Sequence, residues 1–125
     1  MGYLKFPAAK DIYLELNGRK IATVQSYSAH TSRSSRLIEA FGQEEPVGAV
    51  PGRVEHRLEL KRVRAVPGVE QPEFYGCSDF NLVIVSPGRR VVYTGCQWTD
   101  IDESAAVGGN VLEEVQVVAA GRTEI

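Results

Sequence analysis

Apolar and polar residues alternate along Asp11-Ile12-Tyr13-Leu14-Glu15-Leu16, and Asn17-Gly18 follows as a pair that tolerates positive φ, as a two-residue type I′ turn requires. Arg19 to Tyr27 then reads as the returning strand. The strand pattern does not stop there but runs into a polar, basic segment, His30-Thr31-Ser32-Arg33-Ser34-Ser35-Arg36. Ala29 to Arg36 is too polar to be buried in a subunit's own core and too long for a simple turn. The pattern therefore predicts a long projecting hairpin. Unpaired strand edges of that kind invite other chains, which suits a protein that assembles.

Ser35 to Gly42 is ambiguous by local rules. As a short helix it has Ser35 as N-cap, Leu37, Ile38 and Phe41 as its apolar face, and Gly42 as a left-handed stop. As a strand it descends from the tip of the arm and bends at Gly42. Gln43 to Gly52, with Glu44-Glu45-Pro46, Gly48, Pro51 and Gly52, reads as an exposed acidic loop or edge. From Arg53 to Ala65 the alternation is clean: Val54, His56, Leu58 and Leu60 share one face, and Glu55, Arg57, Glu59 and Lys61 form a ladder of alternating sign on the other. The apolar phase then slips to Val63 and Ala65, which predicts a bulge or twist near Lys61-Arg62, and Val66-Pro67-Gly68 closes the strand.

One short flanking helix is expected around Glu70 to Cys77, limited by Pro72 and Gly76. Asp79 to Val85 is the most apolar run, the mark of a strand covered on both faces. Ser86-Pro87-Gly88-Arg89 reads as a tight turn, and Arg90 to Trp98 as the partner strand. Thr99 to Ser104 is acidic and Ala105 to Asn110 small, so the two together are expected to form a mobile loop. Val111 to Ala120 is the last strand, followed by a tail, Gly121 to Ile125. Met1 to Lys10 has a proline and no period, and reads as an arm that lies on a neighbour or frays. The sum is an all-β chain, a β-sandwich or small barrel of six or seven antiparallel strands, and a single domain over residues 1–125.

Composition narrows what such a domain does. A chain of 125 residues, 43% of them hydrophobic, buries one core rather than two. A net charge of −2 gives none of the basic excess of a nucleic-acid binder. No apolar run reaches the roughly 20 residues of a membrane helix, and the first residues lack a signal-peptide core, so a cytoplasmic site of synthesis and no membrane partner are expected. Cys77 and Cys96 are too few and too scattered for a disulfide framework or a zinc site, and read as reduced, buried thiols.

The motifs of nucleotide loops, hydrolase elbows and zinc proteases are absent, and no catalytic residue, cofactor or metal is expected. His30 and His56 are the only histidines, and a metal pair would want a third ligand at matched geometry. Asp100, Asp102 and Glu103 suggest a cation site or acid-base work, against the plainer reading of a solvated loop. Ser32, Ser34 and Ser35 beside Arg33 and Arg36 suggest a phosphate cradle, but lack the glycine-rich backbone of one. Trp98 and the tyrosines are spread through the strands, as packing residues are.

Taken in order, these features resemble the tail tube proteins of phages, tail-like bacteriocins and related contractile injection systems. The resemblance is carried by Ile12-Tyr13-Leu14-Glu15-Leu16-Asn17-Gly18, by Ile21-Ala22-Thr23-Val24-Gln25-Ser26-Tyr27 and by the Arg/Ser-rich arm. It continues in Phe41-Gly42-Gln43-Glu44-Glu45-Pro46-Val47-Gly48, Glu55-His56-Arg57-Leu58-Glu59-Leu60 and Tyr93-Thr94-Gly95-Cys96-Gln97-Trp98. It implies a sandwich or barrel with a small flanking helix, six copies closing a ring around a channel, and rings stacking into a tube. It implies β structure across Ser35 to Phe41. Implied partners are further copies of the chain, sheath and baseplate proteins, with DNA or protein as passing cargo. The implied location is the bacterial cytoplasm during assembly and then a virion tail or tail-like particle. The brevity of the chain and its arginine-rich arm depart from the pattern and point to a tube-initiating or tube-terminating ring as the alternative. A stand-alone β-sandwich that binds a ligand or acts as an adaptor is a reading of another class.

A closed ring uses a heterologous interface, one patch meeting a different patch on the next copy. Glu55, Arg57, Glu59 and Lys61 are the candidate channel lining, a hydrated wall of little net charge. Charge complementarity pairs Arg33 and Arg36 at one end of the subunit with Glu44 and Glu45, or with Asp100, Asp102 and Glu103, at the other.

Overall fold

The computed structural model describes residues 12–21, 23–64 and 70–125. The arm expected over Met1 to Lys10 and the strand end at Val66-Pro67-Gly68 lie outside the described residues. Asn17 and Gly18 take φ of 50° and 82°, the left-handed pair that closes a tight hairpin between β1 (Tyr13–Leu16) and β2 (Arg19–Ile21). The returning strand does not run on to Tyr27 in the same sheet. It ends at Ile21, and β3 (Val24–Arg33) begins again as the partner of a different strand, β6 (Val54–Val63). Between these two lie β4 (Arg36–Ile38) and β5 (Gly48–Val50), a small separate hairpin. After β6 come β7 (Phe80–Ser86), β8 (Arg89–Ser104), β9 (Leu112–Ala119) and β10 (Gly121–Glu124).

Eight of these ten strands join in one antiparallel sheet, ordered β2-β1-β7-β8-β9-β6-β3, with β10 also on β8. The sheet bends into two layers because β8 serves both. Its first half, Arg89 to Cys96, pairs with β7 and β10, and its second half, Gln97 to Ser104, pairs with β9. The bend is at Gly95, where φ is 62° and a Cβ would come within 2.9 Å of the Ala120 methyl. β9 breaks into β10 opposite that point, with Ala120 donating its N–H to the Thr94 carbonyl at 3.0 Å. Any side chain at Gly95 would strain the backbone and push on the other bending strand.

The two inner faces close over one core. Leu14, Leu16, Ile21, Leu82, Ile84, Val91 and Tyr93 come from one layer, and Leu58, Leu60, Val115, Val117 and Ala119 from the other. Each of the larger aliphatic side chains contributes about 1.5–3 kcal/mol by leaving water. The count of strands exceeds the expected six or seven because the tail Gly121–Glu124 is itself a strand and the tip of the arm carries its own hairpin.

Three expectations are corrected. Among the described residues there is no helix. Glu70 to Cys77 is held as an irregular segment by a single turn, the Cys77 N–H donating to the Phe74 carbonyl at 2.9 Å, with Phe74 in the core. Pro72 lacks an N–H and biases Gln71 to extended backbone, which leaves too few residues before Gly76 for a helical nucleus. Thr99 to Ser104 is not a loop but the end of β8; the loop is Ala105 to Val111 alone. Finally, β6 does not change phase at Arg62. His56, Leu58, Leu60 and Arg62 all point inward, and the bulge lies on β3, where Val24 and Ser26 sit opposite the adjacent Arg62 and Lys61.

Candidate assembly surface

Four strand segments, β3, β6, β9 and the second half of β8, present one continuous outer face. Their register places His30, Arg57, Val118 and Gln97 in one row across the strands, Ser28, Glu59, Gln116 and Asp100 in the next, and Ser26, Lys61, Glu114 and Asp102 in the third. Alternation sends these side chains to solvent while His56, Leu58, Leu60, Val115 and Val117 go to the core. The expected ladder Glu55, Arg57, Glu59, Lys61 is therefore on this face, and Asp100 and Asp102 lie on it too, toward the end of the sheet away from the Arg33–Val54 pair. Two bases now stand among five carboxylates, with Glu114 the one that reading along β6 alone omitted. The face is acidic, not near neutral. Lys61 pairs with Glu114 at 3.0 Å, and Glu114 with its hydrogen bond raises the Lys61 pKa. Glu103 belongs to the opposite side, in register with the buried Glu113.

At the border of this face β3 is an edge strand, bonded to β6 and to no other strand among the described residues. Every residue of it after Val24 is exposed. An edge of ten residues, free of proline and exposed on both faces, is what a monomer ordinarily protects. Beyond it the hairpin projects through residues 34–53. Leu37, Ile38, Phe41 and Val47 are exposed there, Phe41 completely. Arg33 ends β3 where the projection begins, and Arg36 stands in the same projection as Glu44 and Glu45, so the expected placing of Glu44 and Glu45 at the opposite end of the subunit from the two arginines is corrected. None of the four makes an ion pair within the described residues. Ser35 to Phe41 is β structure only over Arg36–Ile38, and Gly42 turns with φ 78°.

The chemistry-bearing residues do not gather. His30 points outward and His56 inward, where its Nδ1 lies 2.9 Å from Thr31 Oγ1 and its ring meets Tyr93 edge-on at 6.0 Å. Opposite faces of one sheet cannot offer two ligands to one ion. Among the described residues no three His, Cys, Asp or Glu side chains stand close enough to hold a metal. Arg62 and Glu113, both 0% exposed, were not singled out by pattern, because Arg62 occupies an inward position at which an apolar residue is expected. Cys77 and Cys96 are free thiols. Burial pushes the Cys96 thiol up to about 11, so it stays protonated and unreactive. Alkylation of the native protein is expected to label the half-buried Cys77 and spare Cys96 until urea unfolds the chain; mass spectrometry showing Cys96 labelled first would contradict this.

Between the layers, on the side where the hairpin leaves the sandwich, a cleft of about 770 Å³ opens. Tyr27, Ala29 and Thr31 of β3 form one wall and Arg89, Val91, Tyr93 and Arg122 the other, with His56 at the base. Arg89 Nε donates to Glu124 Oε1 at 2.7 Å, and Arg122 Nη2 lies 3.4 Å from Glu124 Oε2. The hydrogen bond from Arg89 is the main cause holding the Glu124 carboxyl below its usual range.

No family model and no curated protein matches the chain in sequence. Solved structures are similar over nearly its whole length. A chain of an extracellular contractile injection system, the PVC sheath/tube terminator in its extended state, superimposes with a TM-score of 0.73 at 12% identity, over 98% of this chain and 99% of that one. A chain of the anti-feeding prophage cap, the AFP tube-terminating cap, gives 0.69 at 10% identity over 100% and 94%. One from the tail of an empty gene transfer agent particle, refined with C6 symmetry, gives 0.68 at 18% identity over 94% and 96%. At these identities what is shared is the fold.

Proposed function

We propose that this chain is a structural subunit of the tube of a phage tail or tail-like contractile particle, assembling as six-membered rings that stack. The observation that carries the reading is the polar outer face of β3, β6, β9 and β8 ending in the unprotected β3 edge. A face of that kind becomes a channel wall when six copies join edge to edge, each edge finding a partner in a heterologous, closing interface. The similar structures support it, since they are parts of sheath-tube, terminator and tail assemblies, one refined with six-fold symmetry.

On this reading Glu55, Arg57, Glu59, Lys61, Asp100, Asp102 and Glu114 line the conduit. Carboxylates in excess repel a polyanion and hold a hydration layer, so DNA slides without adsorbing, while the apolar side chains a protein cargo meets among the described residues of this face are Val118 and, at its far end, Leu112 beside the half-buried Val63. The chain acts by packing and not by turnover. Sheath and baseplate proteins are its partners, and it passes from the bacterial cytoplasm into the particle. A terminating ring is the second reading, favoured by the terminator and cap among the similar structures.

The test is electron microscopy and sedimentation of the purified chain over a range of concentrations. Tubes that lengthen with concentration support a tube subunit. Single six-fold rings that never elongate support the terminating ring. A monomer at every concentration overturns both.

A further inference from the structure

We infer that the tip loop of one copy, residues 39–47, seats in the cleft between the layers of a second copy. The inference rests on the proposed self-assembly and adds the receptor to it. The loop, Glu39-Ala40-Phe41-Gly42-Gln43-Glu44-Glu45-Pro46-Val47, carries three carboxylates, no base, and a phenyl ring wholly in water. The cleft has the complementary character. Among the described residues its formally charged lining groups are the guanidinium groups of Arg89 and Arg122, and between them lie Val91 and the ring of Tyr93. Its 770 Å³ falls within the roughly 300–1,000 Å³ of pockets that engulf a ligand, and is ample for a phenyl ring and the turn that bears it.

The acidic half of the contact is unmet within one subunit, and the basic half is met only at the surface. Glu44 and Glu45 form no ion pair among the described residues, and the bonds of Arg89 and Arg122 to Glu124 are surface pairs, held with little energy and open to exchange. The loop caps the projecting hairpin, while the cleft flanks the hairpin's root. A head-to-tail contact of tip to root repeats without limit when copies are arranged in series. Phe41 is the expected anchor, a rigid aromatic side chain entering a desolvated pocket, with the carboxylates fixing register at its rim.

The experiment uses the full chain with Cys77→Ser, leaving the buried Cys96, and adds Gln43→Cys on the loop with Ser86→Cys on the cleft wall. Oxidation of the assembled sample is expected to give a ladder of dimers and higher multiples on a non-reducing gel, absent from either single-cysteine control. Tubes or rings visible in the same sample without a ladder, or with only an intrachain link, overturn the docking and leave the assembly reading standing. A chain that never self-associates overturns both. Two further variants test the contact without cysteines: Phe41→Ala is expected to weaken association about 30-fold, and Glu44→Lys with Glu45→Lys about tenfold. Unchanged association in both would reject the docking.

Discussion

Replacing residues 34–53 by Asn-Gly is expected to leave a folded sandwich that no longer assembles. Arg33 and Val54 are register partners, so a two-residue turn can close β3 directly onto β6. No residue in the removed segment is buried; only Val50 and Gly52 are even partly covered. The midpoint of urea unfolding should therefore stay nearly where it was, with β circular dichroism intact. What goes is Leu37, Ile38, Phe41 and Val47, apolar side chains each worth about 1.5–3 kcal/mol when removed from water. Losing the burial of even two of them weakens association on the order of 1,000-fold. Sedimentation at a concentration where the full chain assembles reads this directly. Tubes of normal length from the shortened chain would show that the projection is not an assembly element.

The second large effect concerns Arg62 and Glu113. Arg62 Nε donates to Glu113 Oε1 at 2.9 Å, its Nη1 to the Pro72 carbonyl at 2.6 Å, and its guanidinium lies over the Phe74 ring at 5.0 Å. Arg64 stands 3.6 Å from the other carboxylate oxygen. Burial pushes the Glu113 carboxyl up and the Arg62 guanidinium down from their ordinary values, each opposed in part by the charge of the other. The pair is therefore costly to bury and still costlier to break. Arg62→Met, which leaves the carboxylate buried with only Arg64 nearby, is expected to cost about 3–5 kcal/mol at neutral pH. Arg62→Met with Glu113→Leu should be near neutral or more stable by about 1–4 kcal/mol.

The pH dependence separates the mechanisms. Glu113 has a folded pKa raised above its unfolded value, so the folded state binds the extra proton. Its contribution to stability is most favourable below the unfolded carboxylate range and is lost as pH rises through the folded pKa. Taking Arg62 away lifts that folded pKa further. Urea titrations at pH 4 and pH 7 should thus find the deficit of Arg62→Met smaller at the lower pH, while the double variant, which lacks the carboxyl, should show no deficit that grows with pH and should gain on the wild type as pH rises. A single variant as stable as the double one at pH 7 would mean that the pair carries no uncompensated charge when broken.

The β class, the Asn17-Gly18 hairpin, the turn at Pro87-Gly88 and the inward row His56, Leu58, Leu60 are legible along the chain because each rests on local chemistry: φ preference, or a period of two against one buried face. The long hairpin is legible for the same reason, since a polar stretch too long for a turn must leave the core. Where tertiary contacts compete, local rules point elsewhere. Arg62 reads as a break in the alternation and instead continues it, because Glu113, fifty-one residues away, supplies the countercharge that lets it enter the core. Glu70 to Cys77 reads as a helix, but Arg62 fastens the Pro72 carbonyl and the core takes Phe74. Asp100 and Asp102 read as a loop because acidic residues in series lack a buried face. They form a strand because β9 lies alongside and pairs its backbone with theirs. By itself the sequence determined which segments are strands with one apolar face. Only the tertiary structure decided that β8 and β9 bring Asp100, Asp102 and Glu114 alongside the Glu55, Arg57, Glu59, Lys61 ladder of β6, setting five carboxylates and two bases on one surface, because register across strands depends on neighbours that no local pattern names.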